Sequence, residues 1–315
     1  MPVAPVRRGA AIRTDPGAPP WRQRKDLSLA RCEAVARASR GGVLFGESAA
    51  LVQGLWVRRQ EPDVWLLTPT APAVTTEALA PVDDARRRGS GHPGRGVLLR
   101  RRRAVLSGDD VVAVGDVVVT GPMRTAVDCA FDLPARESIT VLDSAMRLLV
   151  EPDRRRPRES AERWRGVRAE LLRRVRSQRG RRGAVRARAV AQIASPFSES
   201  PGESVLRWQV AAFGLPAPAE QHRIEAEEIG RSFFLDLGWP DLGIAFEYDG
   251  RDKYGTTGTT WEEKERQDAI AAQGWRFHRF TSRHLADRVL LERDVLRAFP
   301  PEVRLAATRV AGLWR

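Results

Sequence analysis

Two short runs of apolar and aromatic residues, 231–237 (RSFFLDL) and 243–249 (GIAFEYD), flank Gly238-Trp239-Pro240-Asp241-Leu242. Runs this short and this rich in Phe, Leu and Tyr favour strands. The Gly, Pro and Asp between them favour a reversal. The pattern predicts an antiparallel hairpin. Side chains alternate faces along a strand. Phe234 and Asp236 therefore share a face of the first strand, and Ala245, Glu247 and Asp249 share a face of the second. At about 3.3 Å rise per residue, Glu247 and Asp249 project roughly 6.5 Å apart. Gly250 then ends the strand. Three carboxylates among Phe233, Phe234, Phe246 and Tyr248 are costly unless something neutralises them. A hard divalent cation does so. Mg²⁺ takes oxygen ligands at about 2.0–2.1 Å, commonly one or two carboxylates with waters and phosphate oxygens. Such an ion (Mg²⁺ or Mn²⁺) activates water and stabilises charge on a phosphodiester.

The residues around the hairpin extend the pattern. Upstream lie Ser198-Glu199-Ser200-Pro201-Gly202-Glu203-Ser204 and Gly214-Leu215-Pro216-Ala217-Pro218 with Gln221. Downstream come Glu262-Glu263-Lys264-Glu265-Arg266-Gln267-Asp268, Gly274-Trp275-Arg276 and Arg279. With Asp236 and Glu247-Tyr248-Asp249-Gly250, this resembles the domain family related to very-short-patch repair endonucleases. That family belongs to the restriction-endonuclease-like, PD-(D/E)XK, superfamily. The resemblance covers about residues 196–299. It implies a mixed sheet flanked by helices, a DNA endonuclease activity and a Mg²⁺ or Mn²⁺ cofactor. Asp236 and Glu247 would be metal ligands, with Glu203 nearby as an acid carried on a helix. The superfamily's water-orienting lysine normally follows the Glu by two positions. Here Asp249 stands there, and Lys253 is the lysine left to take the role.

Structural readings of the same residues stay open. Ser200-Pro201-Gly202-Glu203 has the form of a capping box, with Ser at the N-cap, Pro at the first helical position and Glu at the third. Asp249-Gly250 has the form of a turn. Lys253 is also what a solvated loop carries.

Charge points the same way as the hairpin. The chain of 315 residues holds 53 Lys and Arg against 40 Asp and Glu, a net charge of +13. The excess is concentrated: residues 151–195 hold 15 basic and 5 acidic residues, whereas 196–315 hold 16 and 19. Nearly all of it is Arg, which suits bidentate phosphate contact, and a strong basic field favours encounter with nucleic acid. The two cysteines, Cys32 and Cys129, stand far apart without a CxxC pattern. This argues against a zinc site or a disulfide framework and for a reducing, cytoplasmic setting. No apolar run reaches membrane-spanning length and the N-terminus lacks a signal-peptide core. No GxxxxGK[ST] or GxGxxG loop occurs, so nucleotide-phosphate chemistry of those kinds has no support.

The pattern predicts an α+β chain in five parts. Residues 1–25, with five prolines and scattered arginines, read as a disordered basic arm. Residues 26–150 read as a regulatory head of winged-helix type: two short helices (about 26–39 and 43–55), then the strand Val64-Trp65-Leu66-Leu67. Ser48-Ala49-Ala50 with Gly54-Leu55, and the run from Val118 to Asp128, resemble the regulatory antitoxins of AbiE-type (type IV) toxin–antitoxin systems. That resemblance implies a DNA-binding head and a protein partner in such a system. Arg100, Arg101, Arg102 and Arg103 end a strand and would track phosphates beside DNA. Residues 151–195 read as an Arg-faced helical bridge, 196–299 as the endonuclease-like domain and 300–315 as an amphipathic tail. Within the endonuclease-like domain, Lys264 or Arg266 on the crossover helix and Arg279 on the next strand are candidates for facing the phosphate. The alternative function is a non-catalytic DNA-binding regulator or antitoxin-like protein built on a degenerate nuclease fold.

Overall fold

The structure, a computed structural model, describes residues 3–7, 9–69, 74–79, 96–104, 106–226, 230–250 and 260–314; the side chains of Pro5, Val74 and 260–265 are not described. Lys253 and His92 lie outside the described residues, as does the side chain of Lys264. Contacts divide the chain between Leu133 and Pro134 into two units. Each combines helices with a sheet of mixed strand direction, so the chain is α+β, as its pattern implies.

The first unit begins with a hairpin, β1 (Val3–Arg7) and β2 (Ala10–Arg13), turned at Gly9 with φ +80°. Ala4 and Val6 pack on Leu27 of α1 (Pro20–Ala38). The expected disordered arm is therefore an ordered hairpin followed by a helix start. Two apolar residues at strand spacing find a partner, and Pro20 sits where a helix tolerates proline. Next come β3 (Val43–Leu44), α2 (Gly46–Val52), β4 (Val64–Thr68), β5 (Val74–Ala78), β6 (Leu98–Arg103), β7 (Val111–Val114), β8 (Val117–Thr120) and α3 (Pro122–Asp132). The six strands from β3 to β8 form one sheet, ordered β5-β6-β4-β3-β8-β7. The pairs β4–β6 and β3–β8 are parallel and the rest antiparallel. Leu44, Leu66, Leu99 and Val119 make its core with Cys32 and Val35 of α1. The run 43–55 is thus a strand and a helix, not one helix. The two-residue β3 is held by partners on both sides, which local propensity cannot foresee. These elements build a sheet-centred body rather than the small helical module with a wing expected from the sequence.

The second unit opens with three helices, α4 (Ala135–Val150), α5 (Pro157–Ser177) and α6 (Ala184–Ile193). The expected boundary at residue 150 instead falls before α4. The apolar stripe Ile139, Leu142, Ala145 and Met146 is fully buried, and α4 packs on α5, α6 and α7 (Pro201–Phe213). The Arg-rich stretch is likewise part of this unit. Leu171, Val175, Ala187, Val190 and Ala191 are buried while most arginines of α5 face outward. After α7 come β9 (Ala219–Ala226), β10 (Arg231–Trp239), β11 (Ile244–Asp249), α8 (Thr260–Ala272) and β12 (Arg276–Thr281). Their sheet is ordered β12-β11-β10-β9; the first three strands are antiparallel in sequence and β12 returns parallel to β11 through α8. A parallel neighbour requires such a crossover.

Two helices follow β12, α9 (Ser282–Ala286) and α10 (Arg288–Ala298), split at Asp287, whose carboxylate accepts from the amides of Val289 and Leu290 at 3.0 Å each. The tail forms α11 (Pro301–Ala306) and α12 (Ala311–Trp314) and docks on α7. Trp314 lies 5.3 Å from Phe213 and 6.2 Å from Trp208, and its indole N–H donates to the Ala212 carbonyl at 2.7 Å.

Candidate functional site

The hairpin ladder sets the geometry. Strands β10 and β11 pair at Trp239↔Ile244, Gly238↔Ala245 and Leu237↔Phe246, and extending this register puts Asp236 beside Glu247. Here the side chain takes over from the ladder. The Tyr248 amide donates to Asp236 Oδ2 at 2.9 Å. The Tyr248 ring in turn covers Gly202, where a Cβ would lie inside the ring. That close approach brings the start of α7 onto the end of the hairpin, and Glu203 with it.

Glu203 belongs to the helix cap, but its carboxylate does not close the capping box. Ser200 is the N-cap, its hydroxyl accepting from the Glu203 amide at 3.2 Å, so the cap read from the sequence is real. Glu203 Oε2, however, reaches past the N-cap to accept from the Glu199 amide at 2.7 Å. The same oxygen accepts from Gln221 Nε2 at 3.3 Å. Burial pushes the Glu203 carboxyl up to about 7, and the negative charge of Asp236 adds to the rise. Asp236 is also raised, chiefly by burial and against the Tyr248 hydrogen bond. Two electrostatically coupled carboxylates, brought from a helix and a strand, thus hold protons above the usual carboxylate range.

Glu247 is buried and clamped. Arg266 of α8 donates to it through both terminal nitrogens, with Nη1 at 3.4 Å, and also to the Phe234 carbonyl at 3.2 Å. Arg266, expected to face a phosphate, is thus the counter-ion of Glu247. Asp249 is exposed at the end of β11, and among the described residues no hydrogen bond or ion pair joins it to Asp236 or Glu247. The shared face expected for Glu247 and Asp249 therefore does not gather them. Arg279 is exposed and pairs in register with Glu247. Among the described residues, no group of three or more His, Cys, Asp or Glu side chains is placed to hold a metal ion.

Three residues not singled out from the sequence complete the site. Gln221 lies opposite Asp236, in the gap where pairing passes from Leu235↔His222 to Leu237↔Glu220. Its φ of +50° is rare for a residue with a side chain and marks strain at a functional position more often than chance. Gln221 Oε1 accepts from Arg154 Nη2 at 2.6 Å, and Arg154 also holds Glu199 at 2.5 Å and stacks over Phe234 at 4.9 Å. Arg147 adds a second, longer contact to Glu199 at 3.7 Å. Gln221 was visible in the sequence only as part of a motif. Arg147 and Arg154 had no local signal beyond the excess of arginine, because they come from α4 and the segment after it.

Beneath the site, Arg207 of α7 is buried between Asp143 of α4 and Glu220 of β9, with Glu220 at 3.2 Å from Nε. Asp143 also accepts from the Ser195 amide at 2.9 Å. This network ties the helices to the sheet. In the first unit, the arginine run is engaged internally. Arg100 pairs with Asp63 at 2.6 Å, Arg101 with Glu77 at 2.8 Å and Arg102 with Asp132 at 2.9 Å; Arg103 is exposed at the strand end. No helix among the described residues is long and apolar enough to cross a membrane.

Comparison with known proteins yields two uncharacterised proteins of Mycobacterium tuberculosis, from two strains, each 30% identical over 158 residues. The match covers 50% of this chain and 52% of theirs, so the chain spans about half the length of the curated relatives it matches. No family profile matches the chain, and no solved structure matches it.

Proposed function

We propose that the second unit is a metal-dependent nuclease that hydrolyses phosphodiester bonds, DNA being the expected substrate. The observation that carries this reading is the Glu203–Asp236 pair. A helix cap needs no second carboxylate beside it and no acid raised to about 7, as Glu203 is, and a hairpin end needs no buried acid raised above its usual range, as Asp236 is. The αβββαβ order from α7 to β12, with a parallel last strand, agrees with the mixed sheet and crossover that the resemblance implies. The donor chemistry at Asp236 and Glu203 fits a hard cation: all oxygen, buried, and raised in pKa chiefly by that burial. Asp236 and Glu247 would hold Mg²⁺ or Mn²⁺ with Glu203 alongside, and Glu247 would have to exchange Arg266 for the ion. Bound there, the ion would supply charge stabilisation at phosphate and a more acidic water. Glu203 is poised to hold or pass a proton near neutrality, and Gln221 and the Glu199 amide fix its orientation. Lys253 stays a candidate base. On this reading the first unit is a DNA-binding regulatory head, as its resemblance to AbiE-type antitoxins suggests, with a toxin–antitoxin or defence protein as partner.

The Arg266 clamp favours a second reading, a DNA-binding regulator or antitoxin-like protein without catalysis, because it already neutralises a carboxylate that a metal would need. Incubation of the protein with single- and double-stranded DNA and RNA, with Mg²⁺ or Mn²⁺ and with chelator, separates the two. The nuclease reading expects cleavage that falls more than about 100-fold in Asp236→Asn. Equal cleavage by both proteins overturns it, and retention of DNA with no cleavage in any condition moves the assignment to the regulator.

A further inference from the structure

A groove of about 820 Å³ runs beside the carboxylate pair within the second unit. Arg147, Arg154, Arg155 and Arg223 line it, with Phe197 and Phe234 between them. Its acids are largely spoken for. Glu220 pairs with Arg207, Glu199 is shared by Arg147 and Arg154, and Asp153 accepts from the Arg155 amide at 2.8 Å. The Arg155 side chain is exposed, and Arg223 spans Ser232 at 3.0 Å and Glu225 at 3.1 Å. The groove is continuous with the site. Arg154 donates to Gln221, Gln221 donates to Glu203, and the charge of Arg154 is felt at Asp236.

We propose that this groove is the track for one nucleic-acid strand, with the arginines taking backbone phosphates and Phe197 offering a face to a base, while Phe234 supports Arg154. The inference rests on the nuclease reading for its substrate class and adds where the strand lies and that it is single. Guanidinium groups match phosphate in a bidentate way. Alternating cations and aromatic faces are the combination that holds single strands without reading sequence. Clefts of roughly 300–1,000 Å³ enclose a ligand of drug size, so this groove has room for a short stretch of one strand. Arg154 is then a positioning residue. A phosphate that engages it competes with Glu199 and acts through Gln221 on the orientation of Glu203.

The test is anisotropy of a labelled single-stranded DNA and an RNA of the same sequence, in chelator, across a salt series. Arg155→Glu, at an exposed groove position, is compared with Arg165→Glu on the outer face of α5, where Arg165 is exposed and pairs with Glu162 at 3.6 Å. The groove expects Arg155→Glu to weaken binding about tenfold or more and to flatten the salt dependence, with Arg165→Glu within about twofold of wild type. Phe197→Ala should weaken binding with the salt slope unchanged. Equal losses in the two charge reversals overturn the proposal, since binding would then follow net charge alone. Duplex displacing the single strand as well as single strand does overturns it too. Because binding is read without metal, Asp236→Asn should retain it. Strand binding without cleavage leaves the groove standing while the nuclease reading fails; cleavage that is indifferent to Arg155→Glu and Phe197→Ala sinks the groove alone.

Discussion

Glu203 shows how one side chain can be both cap and acid. Its amide completes the cap of α7 while its carboxylate, displaced onto the Glu199 amide and Gln221, faces Asp236. The pKa shift has a consequence for stability. The group's ordinary value is 4.5 and its folded value about 7. Below about pH 4.5 both folded and unfolded chains carry the proton, and the shift has no effect. As pH rises from 4.5 towards 7 the unfolded chain releases the proton first, so stability falls, on the order of 3 kcal/mol once both are ionised. Urea unfolding of the second unit at pH 4, 5.5 and 7.5 should show this decline, and Glu203→Gln should flatten it. If the carboxylates hold a cation, Mg²⁺ at pH 7.5 should raise the melting temperature of wild type and leave Asp236→Asn unmoved. Gly202 is fixed by a different constraint. A methyl group there meets the Tyr248 ring, so Gly202→Ala should cost about 1–3 kcal/mol in denaturant unfolding and loosen the contact that carries Glu203 to the hairpin.

At the scale of elements, the site depends on α4 and the C-terminal helices, which contribute no carboxylate to it. Asp143 on α4 meets Arg207 on α7 in a buried pair, and the face of α7 that carries Arg207 runs back to Glu203. Asp143→Ala removes one of the two carboxylates paired with buried Arg207, leaving Glu220 and the Ile193 carbonyl, and should cost about 3–5 kcal/mol by chemical denaturation. The tail acts on the opposite end of α7. Gly214, at φ +73°, ends that helix against the Thr308 backbone, and Trp314 covers Phe213 and Trp208. Removing a buried aromatic of this kind costs about 3–5 kcal/mol. Trp314 is partly buried, so Trp314→Ala should fall at or below the lower end of that range in a melting experiment.

For the molecule as a whole, the division at Leu133/Pro134 makes a sharp expectation about fragments. Residues 134–315 should fold alone and show a cooperative melt. Residues 151–315 lack α4, leaving the partners of Ile139, Leu142 and Met146 uncovered and Arg207 without Asp143, and should aggregate or melt without cooperativity. Expression of the two fragments with circular dichroism melts decides this. The same division explains why the arginine-rich stretch is not a linker. Its helices bury Leu171 and Val190 in the second unit's core, and the charge lies on the side left over.

Local pattern sufficed wherever a residue's neighbours in sequence decide its state. The hairpin around Gly238 to Leu242, the Ser200 cap and the crossover from β11 to β12 were legible, because strand alternation, capping and helical spacing act within a few residues. What escaped was set by partners far along the chain. The β1–β2 hairpin is ordered by Leu27 of α1, β3 exists because β4 and β8 flank it, and the tail is helical against α7. The site divides the same way. Asp236 and Glu247 were singled out on the hairpin pattern and Glu203 through the resemblance, and the fold brings Glu203 and Asp236 within electrostatic reach of each other. That Arg266 neutralises Glu247, that Asp249 stands apart, and that Arg154 and Gln221 join a groove to Glu203 were decided by tertiary structure. Charge interactions depend on distance and burial in space, and neither is encoded in the order of the residues.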